Sequence, residues 1–188
     1  MREEQTKQVT LHESVVTTLT GWEPADPAQD SLRNAVLSFV LGRPDACLRA
    51  CVPGHITASA LVLDHTGTQT LLTLHPRLGR WVQLGGHCED TDADIAAAAL
   101  REATEESGID GLTVTAMPVA LHVHPVTCSL GVPTRHLDVQ FVARAPEGAQ
   151  ITCSDESLDL RWWPLDGLPD GADYGVRQLV RAAQTSVE

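Results

Sequence analysis

The chain is short of positive charge. Only 13 Lys and Arg stand against 25 Asp and Glu, giving a net charge of −12 with the histidines neutral. That balance argues against general nucleic-acid binding, which needs a basic footprint. Phosphate chemistry stays open, provided that metal ions mediate the contact. Long apolar runs are missing as well. None is long enough to cross a bilayer, and the start of the chain, MREEQTKQVT, lacks the apolar centre of a signal peptide. The expectation is a cytoplasmic protein without a membrane partner. The cysteines, Cys47, Cys51, Cys88, Cys128 and Cys153, are odd in number and scattered, which argues against a disulfide framework. Cys47 and Cys51 have no second cysteine pair beside them, so they read as two partly buried thiols rather than a zinc site. Internal repeats and low-complexity segments are absent too.

What is present suits one globular domain with a sizeable core: 188 residues, 43% hydrophobic and 20% charged. Residues 9–19 and 30–41 carry helix-like apolar spacing across a turn-rich stretch, Glu23-Pro24-Ala25-Asp26-Pro27. Residues 1–50 read as a helical extension packed on a main domain of residues 51–188. From His55 the texture changes. Strands are expected over 56–63 and 68–74 around an Asp64-His65-Thr66-Gly67 turn, then over 81–84, 112–123, 136–145 and 160–163. Helices are expected over 93–107, stopped by Gly108, and over 174–183. Strands interrupted by one helix and closed by another give an α/β layered domain with a mixed sheet.

The most informative stretch is 85–109, GGHCEDTDADIAAAALREATEESGI. It sets Glu102, Glu105 and Glu106 on one helix just after a glycine pair. Like charges at this spacing repel by a few tenths of a kcal/mol per pair, and acids sit badly near a helix C-terminus. A bound cation offsets both penalties. With Ile95 at zero on a helical wheel of about 100° per residue, Glu102 and Glu106 fall within about 20° of it and Ala99 about 40° away. Glu105 sits at the edge of that face, and Ala96, Leu100, Ala103 and Ser107 cluster opposite. The expected helix has an alanine-rich side toward the sheet and a separate acidic side. Thr91 with Asp94 offers a capping-box-like start. Gly85-Gly86 reads as a tight turn that directs a carbonyl toward the acids.

This segment resembles the Nudix box, G-x5-E-x7-R-E-U-x-E-E-x-G-U with U aliphatic, of hydrolases that act on nucleoside diphosphates linked to another group. Gly86 matches the first glycine. Arg101, Glu102, Glu105, Glu106, Gly108 and Ile109 match the second half, and Ala103 takes the small apolar position. The family's isolated Glu is replaced by Asp92, followed by one residue more than the pattern has, so the loop is lengthened or Asp94 serves instead. The resemblance extends to His55-Ile56-Thr57-Ala58-Ser59-Ala60 and to the segment from Glu156 to Leu165. It implies a Nudix α/β/α sandwich and a Mg²⁺-dependent pyrophosphohydrolase, with Mn²⁺ as a substitute. It further implies metal ligation by Glu102, Glu105, Glu106 and the Gly86 carbonyl. Glu102 or Glu105 is then the group that orients or deprotonates water, and Arg101 holds the acidic helix by ion pairing. Asp138, Glu147, Asp155 and Glu156 are candidates for a further acid.

Other readings compete with each of these. An acidic helix is commonly just a solvated face. The run from Asp90 to Asp94 imitates a calcium loop, but Ile95 and Arg101 stand where Gly and Glu are needed. His122 and His124, two apart on a strand, share a face with their neighbours His136 and Asp138, and are candidates for touching substrate or metal. Arg77, Arg80 and Arg135 are candidate phosphate contacts, with solvated surface as the default. Trp81, Trp162 and Trp163 read mainly as core. Cys88 has no visible base to activate it. Two alternatives to the hydrolase stay open: a non-catalytic nucleotide-sensing module, and a relative of isopentenyl-diphosphate isomerase. Partners read as a small-molecule diphosphate, with a homodimer left open.

Overall fold

The computed structural model describes residues 9–127, 131–154 and 157–186. Cys128, Asp155 and Glu156 lie outside them. Two helices come first, α1 (Leu11–Gly21) and α2 (Pro27–Gly42). Thr10 and Glu13 close a capping box on α1, and Asp26 caps α2 with Pro27 in its first turn. The strands are β1 (His55–Leu63), β2 (Gln69–His75), β3 (Arg80–Val82), β4 (Leu84–His87), β5 (Thr113–Val114), β6 (Ala120–Thr127), β7 (Pro133–Arg144) and β8 (Leu160–Pro164). Helix α3 (Ile95–Ser107) follows β4, and α4 (Tyr174–Ser186) closes the chain. Among the described residues no helix is long and apolar enough to cross a membrane.

The sheet is mixed and organised on β1. That strand runs parallel to β7 along its whole length, from His55 opposite His136 to Leu63 opposite Arg144. It also pairs antiparallel with β2 at one end and with β4 at the other. Every residue of β1 is buried, because both of its faces are covered. Ile56, Ala58, Val139 and Phe141 face one core with Ile95, Ala98 and Ala99 of α3 and with Val15, Leu19, Val36 and Val40 of the first two helices. Leu61, Leu63 and Leu72 face another, closed by Val176, Leu179 and Val180 of α4.

Three local expectations are corrected. The glycine pair is not a turn but part of strand β4, where Gly85 and Gly86 oppose Ser59 and Ala58. The expected strand over 112–123 is two strands. Between the Val114–Ala143 and Ala120–Gln140 pairs its chain has residues to spare, and these loop out around Pro118, which has no N–H to give to a ladder. The cap of α3 is Asp94, which accepts the Ala97 N–H at 2.7 Å, and not Thr91.

The first two helices are bonded to the sheet domain as well as packed on it. Ser14 Oγ of α1 accepts the N–H of Ile95, the first residue of α3, at 3.0 Å. Gln29 of α2 accepts the Leu121 N–H at 2.7 Å and donates to the Leu121 carbonyl at 3.2 Å, acting as a short surrogate strand beside β6.

Candidate active site

The acidic helix meets the glycine strand directly. Glu106 Oε2 accepts the Gly85 N–H at 3.0 Å. A Cβ on Gly86 would fall 2.6 Å from Glu102 Oε2, so that glycine is what admits the Glu102 carboxylate. A Cβ on Gly85 would fall 2.3 Å from that of Ser59, and the residue's φ of 151° is itself a glycine conformation. The separate acidic side expected of α3 is therefore corrected. Ile95, Ala98, Ala99, Ala103 and Ser107 are all buried, and Glu102 and Glu106 lie in the middle of that arc, turned toward β4. Glycine makes this possible, since Gly85 and Gly86 leave room for carboxylates between helix and sheet. Glu105 is different: its side chain is 61% exposed, against 16% for Glu102.

Arg101 organises the loop and the acids together. Its Nε and Nη2 donate to the two oxygens of Asp92 at 2.9 and 3.1 Å. Nη1 donates to Glu102 Oε1 at 3.1 Å and to Glu105 Oε2 at 3.2 Å, and Nη2 also donates to the His87 carbonyl at 2.9 Å. The Asp92 side chain is almost fully buried beneath it. These contacts, the bond to Asp92 first, hold the guanidinium charged well above its ordinary range. Of the two acids left open by the lengthened loop, Asp92 is the one that engages Arg101, and Asp94 is spent on the helix cap. The extra residue is absorbed before Ile95 and leaves the glutamates on one helix.

Three carboxylates on one helix make an all-oxygen donor set, the kind that hard divalent cations such as Mg²⁺ take. The room left at Gly86 for Glu102 and the exposed Glu105 carboxylate fit such an ion.

A second polar cluster lies on the other face of β1. By strand alternation His55, Thr57 and Ser59 share a face with His136, Asp138 and Gln140, away from Ile56, Ala58 and α3. Ring centroids of His55, His87 and His136 stand 5.0–5.1 Å apart pairwise. His124 stands 5.3 Å from His136, and His122 stacks on His124 at 5.2 Å. Burial pushes His55 and His124 below the ordinary imidazole range, His87 down to about 4 and His136 down to about 3. Arg49 donates to His87 Nδ1 at 2.7 Å and adds a positive charge that lowers His87 further. The structure thus gathers His122, His124 and His136, and adds His55 and His87. Strand spacing alone cannot reveal those two, because they arrive from β1 and from the end of β4.

Asp138 is buried. It accepts from Thr57 Oγ1 at 3.0 Å, Ser59 Oγ at 2.7 Å, Gln140 Nε2 at 3.0 Å and Gln83 Nε2 at 3.3 Å. With both oxygens taken by neutral donors, it ties β1 to β7. Arg80 pairs with Asp173 at 3.0 Å, and Arg77 is exposed in the turn before β3; among the described residues neither has a hydrogen bond or ion pair to α3. Arg135 and Glu147 are exposed. Trp81 and Trp163 meet edge to face at 5.2 Å beside the α4 core, and Trp162 packs on the core that holds Ala103 of α3 and Ile109. Cys47 and Cys51 are buried free thiols. Burial drives the Cys88 thiol far up, so that it is not a ready nucleophile.

Comparison with known proteins agrees with this geometry. Residues 53–183 match the family model described as NUDIX domain. A NUDIX-family hydrolase from Clostridium perfringens superposes with a TM-score of 0.56 at 21% identity, covering 71% of this chain and 98% of that one. The C. elegans Ap4A hydrolase in a binary complex gives 0.55 at 22% identity, covering 70% and 96%. The NUDIX domain of Shewanella oneidensis NrtR, solved with ADP ribose, gives 0.53 at 18% identity, covering 80% and 97%. No curated protein sequence matches the chain.

Proposed function

The chain belongs to the NUDIX domain family, and we propose that it is a Mg²⁺-dependent hydrolase that cleaves a diphosphate linkage in a nucleoside diphosphate joined to another group. One observation carries the reading: Glu102 and Glu106 are seated on Gly86 and Gly85 while Glu105, next to Glu106 on the helix, stays open to solvent. Glu102, Glu105, Glu106 and the Gly86 carbonyl are the ligands, and Mn²⁺ suits the same donors. When bound, the ion neutralises the diphosphate and lowers the pKa of an attacking water. The rest falls to the chain's own groups. Glu105, the accessible acid, takes the proton from water. Glu102 and Glu106 are held against β4, so they do not reorganise as charge develops. Arg101, anchored on Asp92, fixes the spacing of Glu102 and Glu105. His122, partly exposed on β6, is proposed to meet the substrate. Helices α1 and α2 serve as an extension of the main domain, and α1 braces the start of α3 through Ser14.

The C. elegans neighbour is an Ap4A hydrolase and the Shewanella domain holds ADP ribose. Dinucleoside polyphosphates and ADP-ribose therefore head the substrates to be screened, before nucleotide sugars, oxidised nucleotides and coenzyme A. The screen reads phosphate or nucleotide release with Mg²⁺ or Mn²⁺. The proposal expects metal-dependent release from at least one compound. Tight binding of a compound with no release at saturating metal would instead identify a sensing module.

A further inference from the structure

The group of His55, His87 and His136 is not accounted for by diphosphate hydrolysis. One ring nitrogen from each of His55, His87 and His136 lies within 4.8 Å of the other two. His55 is 1% exposed, and its Nε2 has no hydrogen-bond partner; neither has the buried Nε2 of His136. Buried polar atoms are ordinarily satisfied, and two unpartnered imidazole nitrogens in a group of three neighbouring rings need an explanation. Hydrogen bonding among the rings does not supply it, because those two nitrogens remain unpaired. The three residues are fixed by the fold. His55 and His136 are register partners on parallel strands, and His87 opposes Thr57, two residues along β1. Neutral imidazole is the ligating form of histidine.

We propose that His55, His87 and His136 form a second metal centre, on the opposite face of β1 from the glutamates, that takes a borderline transition-metal ion such as Zn²⁺ in preference to Mg²⁺. Imidazole nitrogen suits Zn²⁺, Co²⁺ and Ni²⁺, whereas Mg²⁺ demands oxygen. Nitrogens around a tetrahedral Zn²⁺ at about 2.0–2.1 Å are about 3.4 Å apart, so small ring rotations close the set. Three protein ligands leave a fourth position open for water, for a substrate oxygen, or for His124, whose buried Nδ1 is also unpartnered. Arg49, exposed and donating to His87 Nδ1, is a cation at the rim of the triad and swings aside when the metal binds. The ion ties the start of β1, the start of β7 and the end of β4, directly below the loop that leads to Asp92.

The test uses the full chain, stripped of metal and held in excess Mg²⁺ so that oxygen sites are filled. Co²⁺ is titrated and followed by its visible d–d absorption, and Zn²⁺ by displacement of Co²⁺ and by thermal melting. We expect one Co²⁺ per chain in a low-symmetry nitrogen environment and a raised melting temperature with Zn²⁺. The site should persist in Glu105→Gln and Glu106→Gln. It should weaken in His136→Gln and His87→Gln by more than about 100-fold, beyond the 10–100-fold that loss of an outer-shell partner brings. Arg49→Ala should bind more tightly than the parent. Circular dichroism of the glutamine variants separates lost ligation from lost folding, and Arg49→Ala gives a gain that misfolding cannot mimic. Absence of a Co²⁺ spectrum in the parent, equal affinity in the folded histidine variants, or loss of the site in the glutamate variants would each overturn the proposal. Turnover is not read, so the hydrolase reading can fail or hold independently.

Discussion

Arg101 and Asp92 form a bidentate pair, Nε to Oδ1 at 2.9 Å and Nη2 to Oδ2 at 3.1 Å, across the loop between strand β4 and helix α3. The pair sets the position of the one guanidinium that also touches Glu102 and Glu105. Asp92→Ala should therefore do two things. Loss of charged hydrogen bonds under an almost buried carboxylate should lower stability by about 1.5–3 kcal/mol in urea unfolding. Metal-dependent turnover should fall as well, because the freed Arg101 settles on the glutamates and competes with the cation. Unchanged turnover would mean that Asp92 only shapes the loop.

The two glycines of β4 should fail in different ways. Gly86→Ala places a methyl 2.6 Å from Glu102 Oε2, the far end of a side chain that can move. Turnover should drop while the fold persists. Gly85→Ala meets Ser59 Cβ at 2.3 Å and the Ala58 carbonyl at 2.6 Å, in a backbone conformation with φ of 151°. Its cost should fall on stability, at least about 1–3 kcal/mol, as for other strained backbone positions. Thermal melts and turnover of the two variants, measured side by side, check the contrast.

Ser14→Ala tests the bracing role of the first helix. The Ile95 N–H is buried and donates to Ser14 Oγ at 3.0 Å. Leaving it without a partner should destabilise the protein by about 1–3 kcal/mol. A neutral result by urea unfolding would show that water or a shifted cap replaces the hydroxyl.

Cys88→Ala separates hydrolysis from isomerase-type chemistry. The thiol is pushed far above its ordinary range and packs beside the core. Turnover should stay within about twofold of the parent, since a thiol that does not ionise contributes no nucleophile. A collapse of activity in a folded variant would bring the isomerase alternative back.

Much of this was readable from the residues. The spacing of Arg101, Glu102, Glu105, Glu106 and Gly108 places the acids on one helix with a glycine stop, and Gly108 does end α3 with φ of 66°. The direction of that helix was not readable. A wheel reports which residues share a side, and Ile95 shares one with Glu102 and Glu106. It does not say that the glycine pair of β4 lies opposite and admits carboxylates into a packed face. The histidine triad was hidden for another reason. His55 and His136 are distant in sequence and meet only through the parallel β1–β7 register. A parallel pairing leaves no hairpin signal, and His124 and His136 were the only part that neighbouring antiparallel strands announce. Pro118 marks the break between β5 and β6, but the apolar pattern on both sides conceals it.

The central claim is that the glutamates of α3 carry a metal-dependent hydrolysis, and turnover of Glu105→Gln against the parent tests it most directly. The assay is Mg²⁺-dependent release of nucleotide or phosphate from the best compound of the diphosphate screen. The expected result is a fall in kcat of about 100-fold or more, the range for loss of a positioned proton acceptor, with the melting temperature held because Glu105 is exposed. A Glu105→Gln variant that hydrolyses the compound as fast as the parent, with the same metal dependence, would contradict it.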